Sequence, residues 1–257
     1  MNRDQIALQL YTVREFTARD MLDTLRVLAQ QGYRAFEFAG LGGVPAEIIR
    51  ATLDEHRLRA IGAHVSLSLL AAQSERALAE LQTLGCDYAV VPSVPPEQRG
   101  SSGQVRLLAA QLNRLGELCQ SHGLRLAYHN HAFEFEPLDD TGATMFDLLI
   151  AETDPALVSL ELDVYWVEHA GRDAVELLGQ QRGRVPLLHV KDMHADETRA
   201  DAPVGEGRLR WPEILAAAET AGTQWYIVEQ DHPRDALNDV RRSLHNLAQL
   251  IDKQAQT

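Results

Sequence analysis

Short aliphatic runs alternate along this chain with longer stretches in which apolar residues recur at helical spacing. Residues 6–11 read as a first strand. Met21, Leu22, Leu25 and Leu28 then repeat every three or four positions behind a capping Asp20, and Gly32 stops the helix. The pairing recurs to the C-terminal end. Further strands are expected at 33–38, 58–64, 87–91, from 124 to the His129-Asn130-His131 triplet, and at 157–163, 185–189 and 224–229. Helical patterns follow Pro45 and cover 71–84, about 104–121, 143–151, 173–178, a stretch opened by Trp211 and Pro212, and 237–251. Pro92, Pro95 and Pro96 mark a non-helical exit from the fourth strand, and 196–207 reads as a polar loop.

Eight strand-then-helix units in 257 residues give roughly 32 residues each, the size of one βαβ module. No linker, low-complexity tract or shift of composition divides them. The pattern predicts an α/β protein with a single domain over 1–257, a closed (β/α)8 TIM barrel, with an open doubly wound sheet as second choice. An open sheet of that kind carries a Gly-rich turn after its first strand, and Tyr11-Thr-Val-Arg14 has none.

The polar residues matter for where they fall. Asp163, His189 and Glu229 each end an aliphatic run, on strands six, seven and eight, so each is expected at the C-terminal rim where barrel active sites lie. Together they make a mixed nitrogen and oxygen ligand set for one divalent ion: Mn²⁺, Mg²⁺ or Co²⁺, with Zn²⁺ also compatible. His129 and His131 leave strand five at the same rim, where they are either site residues or simply hydrogen-bonded histidines of a half-buried strand. His64 ends strand three and is expected in the pocket. Lys191 is either a solvated charge or a group that holds a substrate oxygen. Glu206 either reaches over the site or belongs to a flexible polar loop. His56, His122 and His245 sit in or beside helices and read as surface residues.

Composition narrows the partners. A formal charge of −13, with no basic patch to offset it, argues against binding a nucleic-acid backbone. Cys86 and Cys119 are far apart and match neither a metal cluster nor a redox pair, which makes a reduced, cytoplasmic setting the default. The first residues carry no targeting pattern, and no apolar run has the length of a membrane span.

Five segments, in order, resemble one family: Tyr128-His-Asn-His-Ala-Phe-Glu-Phe135, Leu162-Asp-Val-Tyr-Trp166, His189-Val-Lys-Asp192, Val204-Gly-Glu-Gly207 and Val228-Glu-Gln-Asp231. They are similar to the sugar phosphate isomerases/epimerases of the xylose-isomerase-like barrel superfamily. The resemblance implies a metal-dependent isomerase or epimerase acting on a sugar, keto-sugar or inosose by α-proton abstraction and a metal-stabilised enediolate. A dehydratase or lyase on a keto-polyol or 3-keto-glycoside is the alternative within the superfamily. A non-catalytic sugar-binding barrel is the alternative of another class. Glu229, His131, His129 and Lys191 become the catalytic candidates, with Tyr11, Glu37, His64, Trp166 and Glu206 toward the substrate. Related barrels often form dimers or tetramers. One departure stands out. Many members carry a ligating Glu on strand five where this chain aligns Ala127, so the fourth ligand is expected from Glu134, with His131 or His129 behind it.

Overall fold

In the computed structural model, residues 1–138 and 142–254 are described. Eight strands close into an all-parallel barrel: β1 (Ile6–Gln9), β2 (Ala35–Phe38), β3 (Arg59–His64), β4 (Tyr88–Val91), β5 (Arg125–His129), β6 (Val158–Asp163), β7 (Leu187–Val190) and β8 (Trp225–Val228). Each pairs with its sequence neighbours, and β1 pairs with β8 to close the ring. The helices outside are α1 (Met21–Gln31), α2 (Ala46–Glu55), α3 (Ser74–Leu84), α4 (Ser102–Ser121), α5 (Met145–Glu152), α6 (Ala174–Gln180), α7 (Trp211–Ala221) and α8 (Ala236–Gln254). Their starts and stops are chemical. Asp20 caps α1 through the Asp23 amide, and Gly32 ends it in the left-handed region at φ 114°.

The expected first strand stops early, because Leu10–Val13 tightens into a 3-10 turn whose Gln9 side chain accepts from the Tyr11 amide. The expected helix over 71–84 is two helices, Leu67–Ala72 and α3. Within the expected polar loop, Asp201–Ala202 pairs antiparallel with Asp192–Met193.

Alternation along the strands gives the barrel two interior levels. The lower level is apolar, built by Ala7, Ala35, Ile61, Ala127, Leu187 and Ile227. Above it the same strand phase turns polar, with Gln9, Glu37, His129, Glu161 and His189 buried at the rim. A register shift between β2 and β3 at Phe36/Glu37 helps to aim Glu37 inward. Gly62 makes room beside it, since a Cβ there would lie 3.2 Å from Tyr88 and 3.5 Å from Glu37 Oε1. No helix among the described residues is long and apolar enough to cross a membrane.

Candidate active site

A cavity of about 530 Å³ opens at the C-terminal end of the barrel, lined by Tyr11, His64, His129, His131, Trp166 and Glu229 among others. Beneath it, one ligand atom from each of His129, Asp163, His189 and Glu229 can be chosen so that all lie within 4.8 Å of one another. Asp163 is oriented from both sides. Its Oδ1 caps the short helix Val164–His169 through the Trp166 amide at 3.1 Å, which leaves Oδ2 buried without a hydrogen-bond partner. Asn130 clips the end of β5 to β6, accepting from the Asp163 amide at 3.0 Å and donating to the Asp163 carbonyl. The His-Asn-His triplet therefore turns two histidines toward the site on either side of a backbone clip.

Lys191 is almost wholly buried among three carboxylates. Its ammonium lies 3.1 Å from Asp163, 2.9 Å from Glu229 and 2.9 Å from Asp231. Three carboxylates against one ammonium leave an excess of negative charge that a divalent cation would balance. The buried Asp163 Oδ2, ion-paired with Lys191 but accepting no hydrogen bond, sits within that excess close to two imidazoles, and the group fits such an ion by charge and donor type.

A second quartet, His64, His129, Glu161 and His189, shares two of its residues with the first and takes its carboxylate from Glu161, one inward position lower on β6 than Asp163. Glu161 Oε1 is 2.8 Å from His64 Nε2 and 2.9 Å from His129 Nδ1. Glu37 takes a hydrogen bond from Gln9 at 2.7 Å and lies 2.9 Å from His189 Nε2. Burial alone would lower the His64 pKa, but Glu37 and Glu161 raise it to about 10. His129 goes the other way, lowered well below its ordinary value by burial and by the neighbouring His189 and His131. Burial, with Lys191 nearby, lowers His131 to about 4. Burial pushes Asp163 up to about 6 against the opposing pull of Lys191.

The structure brings most of the sequence candidates together and sets two aside. Tyr11, His64, His129, His131, Trp166 and Glu229 line the cavity, with Glu37, Asp163, His189 and Lys191 below or beside them. Glu134 is not brought to either quartet. Its carboxylate accepts from the Tyr128 hydroxyl at 2.9 Å and the His131 amide at 2.7 Å, so it braces the turn after β5. Ala127 is no vacant ligand position, since it belongs to the apolar level below; His129, two residues on, is the strand-five side chain within reach. Glu206 faces outward, paired with Arg242 of α8, and lines a separate cavity. Sequence reasoning passed over Glu161. Its signal was available, because it sits two residues before Asp163 and shares the inward phase of β6.

The sequence profile of xylose isomerase-like TIM barrels matches residues 25–250. The chain belongs to that family. A sugar phosphate isomerase/epimerase from Parabacteroides distasonis superposes with a TM-score of 0.84 at 25% identity, over 95% of this chain and 93% of that one. An inosose dehydratase from Geobacillus kaustophilus is 30% identical over 196 residues, 67% of this chain and 62% of the relative, so the chain spans less than two thirds of that protein. The IolI protein, whose structure holds a zinc atom, shares the fold at a TM-score of 0.76 and 15% identity, over 97% of this chain and 99% of that one. The protein is thus a xylose isomerase-like TIM barrel with a His/Asp/Glu cluster able to hold a metal.

Proposed function

We propose that this barrel is a divalent-metal-dependent enzyme that removes the proton α to the carbonyl of an uncharged keto-polyol and expels the β-hydroxyl as water. The observation that carries the reading is the quartet His129, Asp163, His189 and Glu229 beneath a cavity whose wall holds His131. A divalent ion held by those four side chains would supply Lewis-acid polarisation of the substrate carbonyl.

The chain's own residues account for the rest. His131 lines the cavity and keeps a buried Nδ1 with no hydrogen-bond partner, which suits a general base. Its ring is stacked on Phe133 at 5.6 Å and lies 5.5 Å from Trp166, so its orientation is held by packing. In the proposed step His131 takes the α-proton and the C–H pair moves toward the carbonyl. The C–O bond to the β-hydroxyl then breaks as the imidazolium returns the proton to the departing oxygen. The balance is one water lost and one carbon–carbon double bond gained. Trp166 Nε1, buried and unpartnered, is a donor for a substrate hydroxyl. Lys191 draws the carboxylates of Asp163, Glu229 and Asp231 together without lining the cavity.

The choice of an uncharged substrate rests on what lines the cavity. Among the described residues neither lysine nor arginine does; Lys191 is already held by three carboxylates and His64 by Glu37 and Glu161, so a phosphoryl group would meet no free cation there. Loss of water is favoured by the dehydratase relative. Isomerisation is the second reading, supported by the Parabacteroides structure, and would differ only in the proton being returned to carbon. The test is a panel of inososes and keto-sugars, with phosphorylated counterparts, incubated with Mn²⁺-loaded protein. Formation of an unsaturated ketone from an unphosphorylated member is expected. Turnover confined to phosphorylated members would contradict the proposal.

A further inference from the structure

The two histidines of the upper quartet each show their two ring nitrogens to different neighbours. His129 Nδ1 lies 2.9 Å from Glu161 Oε1, while its Nε2 faces Asp163 Oδ2 at 4.0 Å. His189 Nε2 lies 3.0 Å from the same Glu161 oxygen, while its Nδ1 lies 2.9 Å from Glu229. Glu161 thus touches the far edge of both rings from below. It is fully buried and does not line the cavity.

We infer that Glu161 is the positioning residue of the metal centre, fixing which nitrogen of His129 and of His189 turns its lone pair toward Asp163 and Glu229. The inference rests on the reading that the upper quartet holds the divalent ion. An ionised carboxylate only accepts hydrogen bonds, so an imidazole nitrogen facing it carries the proton. In a neutral ring the lone pair is then on the other nitrogen, which here is the one facing the upper carboxylates. Metal-bound histidines commonly donate their second N–H to a carboxylate, which fixes tautomer and ring angle. Here one oxygen serves both rings, from the strands on either side of β6, and meets His64 Nε2 as well, while Glu37, itself held by Gln9, also contacts His189 Nε2.

Glu161 could instead be a ligand in its own right, since it forms a quartet with His64, His129 and His189. Charge separates the two roles. The upper group gathers three carboxylates around one ammonium. The lower one sets Glu37 and Glu161 among three imidazoles whose protons they can accept. The cation therefore belongs above and the shared protons below.

The test compares wild-type protein with Glu161→Gln and Asp163→Asn. Mn²⁺ affinity is measured in competition with a chelator, the visible spectrum is recorded on the Co²⁺-loaded forms, and metal-free thermal unfolding serves as a fold control. Glu161→Gln is expected to bind Mn²⁺ about 10- to 100-fold more weakly, as for other partners of ligating histidines. Its Co²⁺ bands should keep their wavelengths, because the four ligands are unchanged. Asp163→Asn should shift those bands. If Glu161→Gln does not fold, Glu161→Asp provides the same comparison, with the carboxylate drawn back from both rings and affinity again reduced. Affinity within twofold of wild type would overturn the inference alone. Co²⁺ bands shifted by Glu161→Gln but not by Asp163→Asn would make Glu161 a ligand and overturn it too. A wild-type protein that bound no divalent ion would overturn both the inference and the functional reading beneath it.

Discussion

At the scale of single residues, His131 and Glu134 sit three positions apart and do different work. His131 lines the cavity and its buried Nδ1 has no hydrogen-bond partner, whereas Glu134 turns away to brace the backbone beneath it. Replacing His131 with Asn should lower kcat by about 10² to 10⁴ if it is the general base. Bound metal per chain should not change, as stoichiometry measured beside the rate would show. Replacing Glu134 with Gln should leave Mn²⁺ affinity near wild type, because the carboxylate touches only Tyr128 and the His131 amide. Its effect should appear in stability against pH. Burial, partly offset by the His131 amide and Tyr128, pushes the Glu134 pKa up from 4.5 to about 7. As pH rises through that window the unfolded chain loses this proton first, so the folded state loses stability. Glutamine does not titrate, so the melting temperature of Glu134→Gln relative to wild type should climb between about pH 5 and 8. Parallel melting curves across that range would show that the buried carboxyl is not the cause.

At the scale of elements, the stretch after β7 shows what sequence patterns reveal and what they hide. Asp192 is buried and accepts from the Met193, Gly205, Gly207 and Leu209 amides and from the Trp211 indole, fastening the whole loop to the start of α7. Hydrogen bonds to a charged group contribute about 1.5–3 kcal/mol each, so Asp192→Ala should cost at least about 3 kcal/mol in urea unfolding. Gly207→Ala should destabilise comparably, because a Cβ there would lie 2.2 Å from Asp192 Oδ1 and 2.3 Å from the Met193 carbonyl. The Val-Gly-Glu-Gly segment read either as a loop that brings Glu206 over the site or as a flexible polar loop. It is instead a structural clasp in which Gly207 leaves room for Asp192, and its Glu points to Arg242. The eight strands were legible because a parallel barrel strand is buried on both faces and reads as an aliphatic run. Asp163, His189 and Glu229 were legible because they break those runs at the rim. Glu161 was not, since one acidic residue inside a strand looks like an outward-facing surface charge until the barrel phase is known. The strand-five position was harder to read: Ala127 and His129 share a face, one interior level apart, and only the barrel shows that His129 is the one at the level of the quartet.

At the scale of the whole molecule, the rim cluster joins the ends of distant segments, so binding there should register in global stability. Gln9, Glu37, His64, His129, Glu161 and His189 come from six strands and meet within one buried hydrogen-bonded group. An ion that binds the folded chain and not the unfolded one stabilises by about 2.7 kcal/mol at a hundredfold excess over its dissociation constant. Adding Mn²⁺ should therefore raise the melting temperature, and a chelator should reverse the shift. The Asp163→Asn variant should show little of either effect. The loop after β8 is tied in as well, since Asp201 accepts from the Asp231 and His232 amides and so helps to set Asp231 beside Lys191. The central claim is that the metal-loaded cluster exists to labilise a proton next to a carbonyl. Its most direct test is solvent deuterium exchange at the α-carbon of an unphosphorylated inosose or keto-sugar, followed by NMR in D₂O. Exchange, or deuterium in the dehydrated product, is predicted for the Mn²⁺-loaded protein, with loss of the signal in metal-free protein and in Asp163→Asn. Full metal binding with no exchange in any member of the panel would contradict the account.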